Sequence, residues 1–373
     1  MTRISPILAL LFAACSQDYT INGQPPEVNP EDITDCGFTP VSDGGGQASL
    51  FRRYDCNPVF TDSGEDWADG VRSTGFHAQL VMGHPFYQMW YTANTAGGAS
   101  YQLGYAISAD GTDWEPLASN PLLSADNPAW RASAMDGITV VWDSTFEQYV
   151  MTYQGLNLNS GANGIGFMVS DDGRDWVALN NDRPVFDLRE DNGGVSYCWP
   201  LTLTHSPEDG LRGYIAGGPP GTNICQIYDI AGPDVNNLVP NSQPVLQAGQ
   251  TYDAGGMASA AVVKLEDTYY MFYTGIKEYR PLDGTNFVIA YNTTLNIATS
   301  PDGRTWTKSP DNPIKEIGVT NQPSKVLSLA AQVVGPRVHL WIDDYYPDPE
   351  IDNLATGYFL YEPNPIDSGD SPE

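Results

Sequence analysis

The chain has 373 residues, with 46 acidic against 17 basic side chains and a formal charge of −29. Phosphate would be repelled from such a surface, which excludes nucleic acid as a partner. With 41% hydrophobic and 11% aromatic residues there is material for one large domain, and no apolar stretch is long enough to span a bilayer as a helix. The acidity serves solubility, or gathers carboxylates for a cation.

At the N-terminus, Arg3 precedes a short apolar stretch, Ile4 to Phe12, and then Ala13-Ala14-Cys15. Small residues directly before a cysteine resemble the bacterial lipoprotein signal, with Phe12 where leucine is usual. The resemblance covers about 15 residues. It implies that 1–14 is a signal peptide and that Cys15 is lipidated as the mature N-terminus. Ser16 rather than aspartate next to it implies the outer membrane. The alternative is an ordinary secretory signal cleaved nearby. Residues 15–48 are polar and rich in Pro, Gly, Asp and Glu, and read as an acidic flexible tether. Export and the four remaining cysteines predict two disulfides, paired locally as Cys36 with Cys56 and Cys198 with Cys225. The first would pin the tether to blade one of the domain described next, and the second would staple blade three.

A polar-Pro-apolar phrase recurs six times, with prolines at 58, 121, 184, 244, 313 and 365. The intervals are 63, 63, 60, 69 and 52 residues, so six marks enclose five units. A second phrase, Ser-x-Asp-Gly-x-x-Trp, runs from Ser108 to Trp114, Ser170 to Trp176 and Ser300 to Trp306. One copy has decayed near Asp229 to Asp234. A fixed long period signals a repeat architecture. Each unit holds short β-branched and aromatic runs between Gly, Asn, Asp and Pro clusters, such as Tyr87–Thr92, Tyr149–Tyr153 and Tyr269–Tyr273. These read as strands, and no amphipathic helix is evident. The expected fold is all-β: a five-bladed β-propeller over residues 49–373, four antiparallel strands per blade. Gly111, Gly173 and Gly303 supply the positive φ of the turn, and the following tryptophans point between blades.

Gly-Lys phosphate loops, His-Glu-x-x-His and Gly-x-Ser-x-Gly are absent from the sequence, and the four histidines are scattered. A propeller binds ligands at one end of its axis, where each innermost strand begins. That strand should follow each proline mark by roughly ten to twenty residues. The windows contain Asp66 and Asp69, Arg131 and Asp136, Glu190, Asp191 and Ser196, Asp253, then Asn321 and Ser324, together with Trp67, Trp130, Trp199 and Tyr252. Aromatic faces stack on sugar rings. Paired carboxylates hydrolyse glycosidic bonds, by retention at about 5–5.5 Å apart and by inversion at about 6.5–9.5 Å.

The Tyr269–Gly275 strand, the Gly104–Trp114 phrase and the Asn-Pro marks resemble the arabinanase–invertase–levansucrase superfamily, which includes glycoside hydrolase families 43 and 32 and related mannoside phosphorylases. The resemblance covers about residues 50 to 366 and is specific for the fold. It implies a base or nucleophile from blade one (Asp69 or Asp66), a modulating aspartate from blade two (Asp136) and an acid from blade three (Glu190). Blade one lacks the family's Asp-Pro phrase, and Val195-Ser196-Tyr197-Cys198-Trp199 stands where the acid is usually found. The expected substrate contacts are Asp66, Trp67, Trp130, Arg131, Trp199, Tyr252 and Asp253. The expectation is therefore a monomeric, lipid-anchored surface protein that hydrolyses an oligo- or polysaccharide. It needs no cofactor or catalytic metal, though calcium could sit in the axial channel. The alternative is a noncatalytic glycan-binding propeller that has lost the acid.

Overall fold

A computed structural model describes residues 36–41, 49–61, 65, 67–68, 71–81, 84–94, 101–124, 129–157, 162–187, 196–206, 210–219, 224–281, 288–317, 328–345 and 354–363. Residues from Phe38 onward form one compact unit. Its strands are β1 (Phe38–Pro40) and β2 (Phe51–Tyr54), then β3 (Val71–Val81), β4 (His84–Asn94), β5 (Tyr101–Ser108) and β6 (Glu115–Pro116). There follow β7 (Ala134–Asp143), β8 (Gln148–Asn157), β9 (Ala162–Ser170), β10 (Val177–Ala178) and β11 (Phe186–Asp187). Next come β12 (Ser196–Ser206), β13 (Gly210–Gly218), β14 (Gln226–Gly232) and β15 (Val239–Pro240). The last are β16 (Gly256–Leu265), β17 (Thr268–Pro281), β18 (Val288–Ser300), β19 (Thr307–Lys308), β20 (Lys315–Ile317), β21 (Leu329–Val334), β22 (Arg337–Tyr345) and β23 (Leu354–Tyr361).

These strands form five antiparallel sheets, the five blades of a propeller. Blade one is β3-β4-β5-β6, blade two β7-β8-β9-β10, blade three β12-β13-β14-β15 and blade four β16-β17-β18-β19. Blade five is β21-β22-β23 completed by β2 and β1 from the start of the chain. The ring thus closes by pairing Phe51–Arg53 with Tyr361–Phe359. The inner strands start 13, 13, 12, 12 and 16 residues after prolines 58, 121, 184, 244 and 313, within the expected window.

Closure changes the reading of the proline marks. In each of the five described marks, the residue after proline donates its N–H to a carbonyl of a third strand: Val59 to Thr356, Leu122 to Leu103, Val185 to Ile165, Val245 to Ile227 and Ile314 to Leu295. The first mark therefore belongs to blade five, and the sixth, at Pro365, lies outside the described residues. Where the polar residue is asparagine, its side chain copies a backbone unit. Asn57, Asn120 and Asn312 each accept from the N–H and donate to the C=O of one third-strand residue: Tyr358, Tyr105 and Ile297.

The same geometry relocates one disulfide. Cys36 and Cys56 form a bridge, but Cys56 directly follows β2, so the bridge belongs to the closing sheet of blade five and not to blade one. Cys225 is also disulfide-bonded. The expected pairing partner, Cys198, has its side chain outside the described residues, as do Cys15 and the signal segment.

The Ser-x-Asp-Gly-x-x-Trp turn is an inter-blade clasp. The serine hydroxyl accepts the glycine N–H, and the aspartate accepts the two N–H groups that follow the glycine. The glycine carbonyl accepts twice. One donor is the motif's own tryptophan: Trp114, Trp176 and Trp306 to Gly111, Gly173 and Gly303. The other comes from the second strand of the preceding blade: Trp341 at 3.1 Å, Trp90 at 2.6 Å and the Tyr214 hydroxyl at 2.8 Å. By ladder register the equivalent positions in blades two and four are Thr152 and Phe272. Thr152 has no ring and the Phe272 ring has no donor, and the blades that follow them, three and five, lack the motif. Motif and donor thus occur together, seam by seam. Five hydrophobic clusters fill the five seams. The two unclasped seams rest on aliphatic and phenyl packing, Val150, Phe167 and Leu211 in one and Phe272, Leu340 and Phe359 in the other.

Two outcomes test the clasp. Trp90→Phe should cost about 1–3 kcal/mol in denaturant unfolding, because a buried acceptor loses one of its two donors and the seam loses packed ring surface. The backbone N–H groups of Thr305 and Arg304 hold the Asp302 carboxyl down at about 2 against an ordinary 3.8. A depressed carboxyl stabilises the fold fully above its unfolded value and loses that contribution as pH falls through the folded one. Asp302→Asn should therefore flatten the acid limb of the stability profile between about pH 4 and pH 2, measured by thermal melts across that range.

Candidate functional site

Four of the five inner strands share a feature at the end where they begin. The ladder between inner and second strand shifts register between Val71 and Ser73, Asp136 and Thr139, Tyr197 and Leu201, and Met257 and Ala260. A bulge there breaks the pairing at the end where these inner strands begin, a position where bulges commonly re-aim side chains. Gly137, at φ 55°, makes the bulge in blade two.

Asp136 stands immediately before that bulge and is half-buried. Its Oδ1 accepts from the Gly137 N–H at 2.9 Å and from the buried Thr92 hydroxyl of blade one at 3.5 Å. One oxygen is thus held by its own bulge and by the neighbouring blade. Thr92 was not among the residues expected from sequence. Its signal is only positional, two residues after the clasp donor Trp90 on β4.

Several expected ligand contacts turn out to brace the blades. Trp67 stacks on Tyr91 at 5.9 Å and Trp130 on Tyr153 at 5.6 Å, so each has one face occupied. The rings lie where third-strand glycines leave room: a Cβ on Gly104 would stand 2.4 Å from Tyr91 and one on Gly166 2.4 Å from Tyr153. Trp130 also donates to the Asp182 carbonyl. Arg131 is buried, 3.5 Å from the Asp182 carboxylate and over the Tyr153 ring. Tyr252 occupies the equivalent place in blade four, buried, with the Lys308 ammonium over its ring. Asp253 is 0% exposed, accepts from the Gly249 and Gln250 N–H groups and pairs with Lys308. A carboxylate closed off in this way has no face for a sugar, so Asp253 is corrected from ligand contact to structural ion pair. Burial also pushes the Tyr153 and Tyr273 hydroxyls well up, so both stay neutral.

Asp66, Asp69, Glu190, Asp191, Asn321 and Ser324 lie outside the described residues, as do the side chains of Ser196 and Trp199. Among the described residues no three His, Cys, Asp or Glu side chains converge as metal ligands.

No family model and no curated protein matches this sequence. Solved structures do. The chain is similar to a thermostable family-43 glycoside hydrolase, with 14% identity and a TM-score of 0.53 over 81% of this chain and 91% of that one. It is similar to an N-acetylgalactosamine deacetylase from F. plautii in complex with blood group B trisaccharide, at 13% identity and a TM-score of 0.58 over 84% and 95%. It is similar to the beta-1,2-mannobiose phosphorylase from Listeria innocua, at 10% identity and a TM-score of 0.55 over 84% and 96%. The fold is that of the family 43 and family 32 type five-bladed propellers. A hydrolase, a deacetylase and a phosphorylase share it, so the fold does not select the reaction.

The brace assignment separates two aspartates by experiment. Asp253→Ala leaves the Lys308 ammonium without its carboxylate and should cost about 3–5 kcal/mol in equilibrium unfolding. Asp136→Asn keeps size and most hydrogen bonding, and should change stability by less than about 1 kcal/mol.

Proposed function

We propose that the protein acts on carbohydrate at the mouth of its axial channel, hydrolysing glycosidic bonds with a pair of carboxylates. The observation that carries this reading is Asp136. It lies at the bulged start of an inner strand, with Oδ1 held by Gly137 and Thr92, while Oδ2 accepts no hydrogen bond from the described residues. A fixed carboxylate with one oxygen directed elsewhere suits orientation of a sugar or stabilisation of positive charge on a reacting ring. Asp69 or Asp66 is assigned as base or nucleophile and Glu190 as acid, the pair that retention or inversion requires. The carbohydrates and activities named for the similar propellers favour a saccharide substrate.

A noncatalytic glycan-binding module is the second reading, and one observation favours it. Of the five inner strands only β7 contains an Asp or Glu; β12, which would bring the acid, reads Ser-Tyr-Cys-Trp-Pro-Leu-Thr-Leu-Thr-His-Ser. Both readings place the protein outside the cell, tethered through a lipid on Cys15.

Asp136→Asn and Asp69→Asn, assayed with wild type for glycan binding and for release of reducing sugar, distinguish the readings. Hydrolysis predicts a fall in turnover of about a hundredfold or more in each variant with binding retained. Binding by wild type without turnover selects the module, and the absence of both rejects a carbohydrate role. Cys15→Ser should move the protein from the membrane fraction to the soluble one.

A further inference from the structure

One hairpin overshoots its blade further than the other described hairpins do. In blades one, two and three, the second strand ends no more than one residue past the start of its ladder with the inner strand: Asn94 after Ala93, Asn157 after Leu156, and Gly218 itself. In blade four the ladder with the inner strand starts at Gly256 opposite Ile276. The ladder between β17 and β18 continues to Pro281 opposite Val288. Five residues of β17, Lys277 to Pro281, therefore rise beyond the inner strand. At about 3.3 Å per residue this ribbon stands roughly 17 Å high. The second strand of blade five runs three residues past its own ladder start, from Ile342 to Tyr345.

The direction of the overshoot is fixed by topology. Second strands end where inner strands begin, which is the end of the channel that holds Asp136. The ribbon is also braced. Lys277 pairs with Glu316 of β20, β20 pairs with β18 over Thr293–Leu295, and Asn292 donates to Glu278 at 2.7 Å. A two-stranded ribbon alone is marginal in water; here the third strand reaches its base, with Ile317 opposite Thr293, and the two polar links tie that base to the blade.

We propose that this ribbon is a specificity wall, which admits the end of a saccharide chain and excludes the middle of one. It rests on the carbohydrate reading above. Among the described residues, the second strands of blades one to three stop level with their ladders beside Asp136, while those of blade four, and to a lesser height blade five, project on the opposite side. A polymer lying across the mouth needs an exit on both sides. A chain end needs only one. The ligand class is accordingly the terminus of an oligo- or polysaccharide, held with its terminal ring toward blade four and its remainder leaving over blades one to three.

The test is a variant in which an Asn-Gly turn joins Ile276 to Thr293, replacing residues 277–292. Wild type and variant are titrated with soluble arabinan, mannan and levan and with a trisaccharide from each. For whichever polymer binds, the affinity ratio of polymer to trisaccharide should rise on the order of tenfold on removal of the ribbon. Glu316→Gln, which loosens the base without shortening the chain, should move the ratio the same way by a smaller factor and covers the case in which the deletion does not fold. An unchanged ratio in a folded variant overturns the wall. So does a fall in oligomeric mass by light scattering without a change in ratio, which assigns the ribbon to self-association. Failure of wild type to bind any saccharide overturns the carbohydrate reading and the wall with it.

Discussion

One carbonyl oxygen in each clasped turn receives two hydrogen bonds, and much of this molecule is arranged around that fact. The oxygen of Gly111, Gly173 or Gly303 faces a tryptophan of its own blade and a ring donor of the preceding blade. Both lone pairs are used, in a buried place where an unmet acceptor would be costly. The glycine is needed twice over. Its φ is positive, and a Cβ on Gly173 would stand 2.7 Å from the Trp90 ring. The turn's serine and aspartate bind backbone N–H groups around it, so the oxygen is aimed by contacts within its own blade. Apolar packing then fills the seam on either side of a fixed point.

Two seams do without this device, and the composition of each follows from that. Where Thr152 and Phe272 replace the ring donors, the clusters contain no indole. A fixed hydrogen bond and apolar packing alone are alternative ways to register one blade on the next. Ring closure adds a third. Blade five borrows β2, and Glu362 receives both Arg52 and Arg337, at 2.8 and 2.7 Å. The channel mouth is therefore built on a rigid ring, and its chemistry can vary through bulges and loops without disturbing the seams.

The second-strand tyrosines show how local sequence and burial were easy to confuse with function. Trp67, Trp130 and Tyr252 fall at one place in three repeats, among acidic residues, which is the composition of a sugar site. The tertiary structure puts each against a second-strand tyrosine. The pattern that distinguishes a brace from a platform was present in the sequence: Tyr91 and Tyr153 are each followed thirteen residues later by a glycine, Gly104 and Gly166. The charged residue beside the aromatic takes opposite signs in blades two and four, Arg131 against Asp182 and Asp253 against Lys308. Such inversion serves a buried pair, where only complementarity counts, and fits poorly with recognition of one ligand.

The period, the strands, the turn glycines and the window in which each inner strand begins were all legible in the sequence. Each of these is set by local chemistry: alternation, positive φ, and a proline that ends one element and starts another. That Asp136 falls at the start of an inner strand was legible too. Spacing could not tell that the first proline mark completes the last blade, that Cys36 and Cys56 belong to the closing sheet, that Asp253 is sealed against Lys308, or that Thr92 reaches Asp136 from another blade. These depend on contacts between residues up to about 300 positions apart, such as Asn57 with Tyr358. A linear repeat fixes how each blade folds, while only closing the ring decides which blade a residue joins and which side chains are left facing the channel.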